Sequence, residues 1–98
     1  MIVTMVVGLC TIELRIPMSH SLKNKRGVLK SLINRIKNRF NVSIAEVAHH
    51  DDWKLATVGI VTISNNTIYV QQLLNKVIEY IEDNYLDVQL FNYTIEFL

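Results

Sequence analysis

Between an apolar run that ends near Ile16 and another that begins at Val88, the sequence carries two stretches of helical period with a pair of strand-like runs between them. Few folds accept that order. From Leu22 to Phe40, the residues Leu22, Leu29, Leu32, Ile33, Ile36 and Phe40 recur as on one side of a helix, and Ser21 is placed to cap its start. Val70, Leu73, Leu74, Val77, Ile78 and Ile81 form a second stripe that follows the turn and cap residues Asn65-Asn66-Thr67 and runs to about Asn84. Met1 to Ile16, Val42 to His49, Lys54 to Ser64 and Val88 to Leu98 have the composition of strands. His50-Asp51-Asp52-Trp53 has the turn residues of a hairpin between the middle two.

Each strand-helix-strand unit makes a right-handed crossover, and two interleaved units give a four-stranded antiparallel sheet with both helices on one face. The expectation is a single α+β domain over 1–98, ferredoxin-like in topology. Half of its 98 residues are hydrophobic, enough for a core without metal or disulfide staples. The other face of the sheet is left without a helix. The first strand is apolar on both sides in its first half, and the last presents Phe91, Tyr93, Ile95 and Phe97 on one side by strict alternation. An uncovered apolar face of this kind predicts a homodimer through the open sheet face.

Composition removes several function classes. The lone Cys10 lies in an apolar run without a partner, which excludes a disulfide framework and points to a reducing, cytoplasmic setting. The apolar N-terminal stretch lacks a basic leader and a small-residue cleavage site, and Glu13 and Arg15 end it short of the roughly 20 residues a membrane span needs. It reads as a buried strand, with no membrane role. An RNA-recognition module would stack bases on aromatics of its central strands, and neither the first strand nor Leu55 to Ile63 has one. There is no Cys-x-x-Cys loop, and Gly8, Gly27 and Gly59 all fall inside predicted elements, so no phosphate-cradling loop can be built from them. No cofactor or metal is implied, and an enzyme is the less favoured class.

What composition does offer is charge segregation under a net charge of only +1. Eight basic and no acidic residues lie between Leu14 and Ala45, whereas eight acidic residues and only Lys54 and Lys76 lie from Glu46 onward. At 100° per residue, Lys23, Arg26, Lys30 and Lys37 of the first helix fall within an arc of about 60° beside its apolar stripe. The like charges Arg26 and Lys30, and Arg35 and Arg39, stand four apart, with a cost of a few tenths of a kcal/mol per pair, roughly. Lys23, Lys25 and Arg26 also oppose the positive helix N-terminus. Two readings follow. In one, backbone N–H groups at the helix start, these cations and His20 meet phosphates of an anionic partner. In the other, the face is solvated and partly neutralised by Glu79, Glu82 and Asp83 of the second helix.

A second cluster, His49-His50-Asp51-Asp52, falls in the hairpin, which the topology brings to the same end of the sheet as the start of the first helix. His20, Lys23, Lys25 and Arg26 are expected to face it. Histidine and aspartate can bind metal or transfer protons, but adjacent His-His and Asp-Asp pairs match no metal-ligand spacing. The plainer reading is a turn whose aspartates satisfy backbone N–H groups while Trp53 covers the sheet edge.

The run His20-Ser21-Leu22-Lys23-Asn24-Lys25-Arg26-Gly27-Val28-Leu29-Lys30, then Arg39-Phe40-Asn41-Val42-Ser43-Ile44-Ala45-Glu46-Val47, then Asp51 and Trp53 ahead of Ala56-Thr57-Val58-Gly59-Ile60, resembles the YlxP-like family of small bacterial proteins of unknown function. The resemblance implies a ferredoxin-like fold, a gene neighbourhood shared with translation-initiation and ribosome-maturation genes, and no established activity. Its shared motif falls on His20, Leu22, Lys23, Lys25, Arg26, Leu29, Lys30 and Glu46. Gly27 departs from the small polar residue more usual there, and inside a helix it costs roughly 1 kcal/mol relative to alanine.

Taken together, these features lead to the expectation of a non-enzymatic accessory protein that binds ribosomal or other structured RNA through Lys23, Lys25, Arg26, Lys30 and Lys37. The alternatives are a module whose basic helix meets an acidic protein surface, and a ligand or enzyme site at the His20 and hairpin pole.

Overall fold

A computed structural model describes residues 3–98. The elements are β1 (Val6–Arg15), α1 (Leu22–Arg39), β2 (Ser43–Ala48), β3 (Leu55–Ser64), α2 (Thr67–Asn84) and β4 (Gln89–Phe97). The strands pair antiparallel in the order β2-β3-β1-β4, the ferredoxin-like arrangement that the element order predicts. Helix starts follow local chemistry: the Ser21 hydroxyl accepts from Asn24 N–H and the Asn66 side chain from Tyr69 N–H, so each cap satisfies a donor that the helix itself leaves open.

Alternation along β1 separates the two faces. Cys10, Ile12 and Leu14 are fully buried under the helices, with Ala56, Val58 and Ile60 of β3 beside them. Leu29, Leu32 and Ile36 of α1, and Val70, Leu74, Val77 and Ile81 of α2, close the core from above. Gly8 lets α2 pack close against the sheet, because a Cβ there would overlap Val70 and touch Leu74.

Two expectations are corrected. The first strand was expected from Met1, but Met1 and Ile2 lie outside the described residues and the strand begins at Val6. Its last partners are Ser64 of β3 and Phe97 of β4, so no neighbouring strand remains for Val3 to Met5, which lie exposed. The alternation expected for the last strand is broken by a bulge. Glu13 pairs with Asn92 and Leu14 with Leu90, which leaves Phe91 as the extra residue. Tyr93, Ile95 and Phe97 are therefore in register with Ile12, Cys10 and Gly8, on the helix side, while Phe91 lies beneath the Arg15 guanidinium at 5.0 Å. The β4 positions aligned with the open face of β1 are Asn92, Thr94 and Glu96. That face is thus apolar at Val7, Leu9, Val61 and Ile63 and polar along its β4 side.

Candidate functional site

The topology gathers the end of β1, the start of α1, the β2–β3 hairpin and the α2–β4 connection at one end of the sheet. Backbone and side-chain bonds join them. Ile16 N–H donates to the Lys54 carbonyl at 2.7 Å, and Lys54 Nζ donates to the Pro17 carbonyl at 2.8 Å.

The basic residues of α1 divide into three sets. Lys25 is fully buried; its Nζ stands 3.2 Å from Glu46 Oε2 and donates to the His49 carbonyl. It is a strut between helix and hairpin and presents no charge to a partner. The helical wheel already contained the sign, since Lys25 precedes Leu29, Leu32 and Ile36 at spacings of 4, 7 and 11 and so belongs to the buried arc. Glu46 points inward because it shares the helix side of β2 with Ile44. Arg35 and Arg39 turn toward α2, with guanidinium carbons 5.8 Å from the Tyr85 ring centre and 5.0 Å from that of Tyr80.

The third set, Lys23, Arg26, Lys30 and Lys37, is exposed. Among the described residues, the only ion pair within 4 Å is Lys25–Glu46, so Glu79, Glu82 and Asp83 of α2 do not neutralise the stripe by contact. His20 is exposed at the approach to the helix, with Nδ1 3.4 Å from the Met18 carbonyl.

His49, His50 and Asp52 of the hairpin are each bonded to, or in reach of, neighbouring backbone groups. His49 adopts φ 64°, a left-handed conformation rare outside glycine, and its carbonyl accepts from Asp52 N–H at 3.0 Å as well as from Lys25. His50 Nε2 lies 3.2 Å from the Glu46 carbonyl. Asp52 Oδ1 accepts from Lys54 N–H and Leu55 N–H, both at 2.8 Å, and these two bonds hold its carboxyl below the ordinary carboxylate range. Asp51 is exposed beside Trp53. Among the described residues, no three His, Cys, Asp or Glu side chains gather as a metal ion would require.

Sequence reasoning missed a groove of about 620 Å³ on the other flank of α1. Asn24, Gly27, Ser31 and Arg35 form one side and Tyr85 and Asp87 of the α2–β4 connection the other, with Lys23 at its rim. The only advance sign was Gly27, a glycine inside a helix.

The family model described as "Protein of unknown function (DUF503)" matches residues 7–95. The chain is 36% identical over 76 residues to the "Uncharacterized protein YlxP" of Bacillus subtilis (strain 168), a match covering 78% of this chain and 83% of that one. With the fold and the conformity of the match along nearly the whole chain, the protein belongs to the DUF503 family, of the YlxP-like type.

Proposed function

We propose that this protein is a non-enzymatic accessory protein that binds structured RNA, ribosomal RNA foremost, through Lys23, Arg26, Lys30 and Lys37. One observation carries the reading: among the described residues, these four cations share an exposed arc of α1 with no carboxylate within ion-pair distance, while Lys25 is buried in an ion pair and Arg35 and Arg39 lie over tyrosine rings. Like charges at four-residue spacing weaken a helix, and nothing in the fold compensates this set, so an external polyanion is the partner that makes them favourable. Contacts of this kind go to phosphates and give affinity that depends on salt more than on sequence. The reading carries a cytoplasmic location with it.

Binding of purified protein to ribosomal subunits and to bulk RNA across a salt series tests it. Four phosphate contacts give a slope of log K against log salt of about −3. Arg26→Glu with Lys30→Glu abolishes binding while the fold, checked by circular dichroism, persists. Absence of binding by the parent at low salt refutes the proposal.

A further inference from the structure

The groove beside the stripe has features that the fold itself does not require. Gly27 has no positive φ, and a Cβ built there would meet nothing within 4 Å. Neither backbone conformation nor packing calls for glycine, although glycine weakens a helix interior. Its one structural effect is to leave the helix backbone bare on the groove floor. Across from it stands Tyr85, largely buried, with a hydroxyl that has no hydrogen-bond partner among the described residues. Arg35 lies over that ring, so the groove contains a guanidinium plane backed by an aromatic, a platform on which unpaired bases stack.

Charge decides which part of a nucleotide enters. Lys23 and Arg35 attract phosphate to the groove's edge, whereas the Asp87 carboxylate, which also borders it, accepts a hydrogen bond from the exocyclic amino group of a base. Asn24 and Ser31 add neutral donors and acceptors. Lys23 is common to the groove rim and the stripe, and Gly27 follows it by only about 40° around the helix. A chain whose phosphates run along the stripe can therefore turn one base over Gly27 into the groove. The volume is that of an ordinary small-molecule site and accommodates one nucleotide.

We infer that the groove formed by Asn24, Gly27, Ser31, Arg35, Tyr85 and Asp87 seats one unpaired, amino-bearing nucleotide of the RNA whose backbone the stripe holds. The inference rests on the RNA reading above and makes the protein a reader of single-stranded or looped segments within structured RNA.

The test compares a short single-stranded oligocytidylate with a fully paired RNA duplex carrying the same number of phosphates, using fluorescence anisotropy at one salt concentration. The parent binds the oligonucleotide more tightly. Gly27→Leu fills the groove and removes the helix glycine; it weakens oligocytidylate binding roughly tenfold, the loss of one stacked base, and leaves duplex binding and thermal stability at or above the parent's. Arg26→Glu with Lys30→Glu weakens both ligands alike. Equal affinity of Gly27→Leu and parent for the oligonucleotide overturns the groove and leaves the stripe standing, as does a parent with no preference over the duplex. Failure of the parent to bind either RNA overturns both. Free cytidine monophosphate is titrated in parallel by NMR. Saturation of the Asn24 and Gly27 amide shifts at the oligonucleotide's own concentration would assign the groove to a free nucleotide and overturn the RNA source.

Discussion

Lys25 of α1 and Glu46 of β2 meet at 3.2 Å beneath the hairpin, with the lysine side chain fully buried and that of the glutamate 17% exposed. Glu46 Oε2 takes no hydrogen bond beyond this ion contact, whereas Lys25 Nζ also donates to the His49 carbonyl. The pair thus compensates one cation of the overcharged α1 and braces the left-handed His49 at the same time.

Removing one partner strands the other charge. Glu46→Ala is expected to lower unfolding stability by about 3 kcal/mol, while Lys25→Met combined with Glu46→Leu remains within about 1 kcal/mol of the parent. Urea denaturation of the two single variants and the double variant measures this. On the proposed RNA reading, Lys25→Met leaves the affinity at the parent's value under conditions where it is folded, since Lys25 is absent from the surface.

Asp52 governs the acid behaviour of the hairpin. Its pKa is lowered from 3.8 by the Lys54 and Leu55 backbone bonds, so its contribution to stability is present above 3.8 and lost as pH falls through the lower folded value. The expected result is a carboxyl NMR titration midpoint below 3.8, with faster amide exchange at Lys54 and Leu55 once that midpoint is passed. Asp52→Ala removes the pH step in exchange. A midpoint above 3.8 contradicts the assignment.

The thiol of Cys10 is pushed up from 9.0 to about 11 by burial between sheet and helices. In native protein at neutral pH it stays protonated and resists iodoacetamide, and denaturant makes it react at the rate of a free cysteine. Its raised pKa stabilises the fold fully below pH 9, and that contribution is lost as pH rises toward 11. Cys10→Ala is less stable at neutral pH and loses less stability than the parent between pH 9 and 11.

Two glycines respond in opposite ways to the same substitution. Gly8→Ala drives a methyl into Val70 and is expected to cost about 1–3 kcal/mol. Gly27→Ala meets open space and raises stability by up to about 1 kcal/mol. Thermal unfolding of both variants beside the parent distinguishes a glycine kept for packing from one that packing does not explain.

Element order and helix bounds were legible because each element states itself locally. Ser21 and Asn66 mark helix starts, and the apolar periods carry the rest. The stripe of Lys23, Arg26, Lys30 and Lys37 could likewise be placed by angle alone. Phe91 could not, since its position depends on a pairing irregularity between strands distant in sequence. Tyr85 and Asp87 escaped notice because only the finished fold brings the α2–β4 connection against α1. Lys25 was classed by its charge when its spacing placed it among leucines and isoleucines.

The bulge at Phe91 makes β4 a strand in two phases, and this sets how the protein tolerates changes in length. Removing the bulge with Phe91 still in the chain would force a choice between the anchoring pair Leu14 and Leu90 and the aromatic register from Tyr93 to Phe97. One of the two would be turned inside out. A residue added in the exposed turn at Asp51, outside any ladder, leaves every strand face as it was. Length variation in this chain therefore belongs at the hairpin tip, away from the nine residues of β4 that hold two registers.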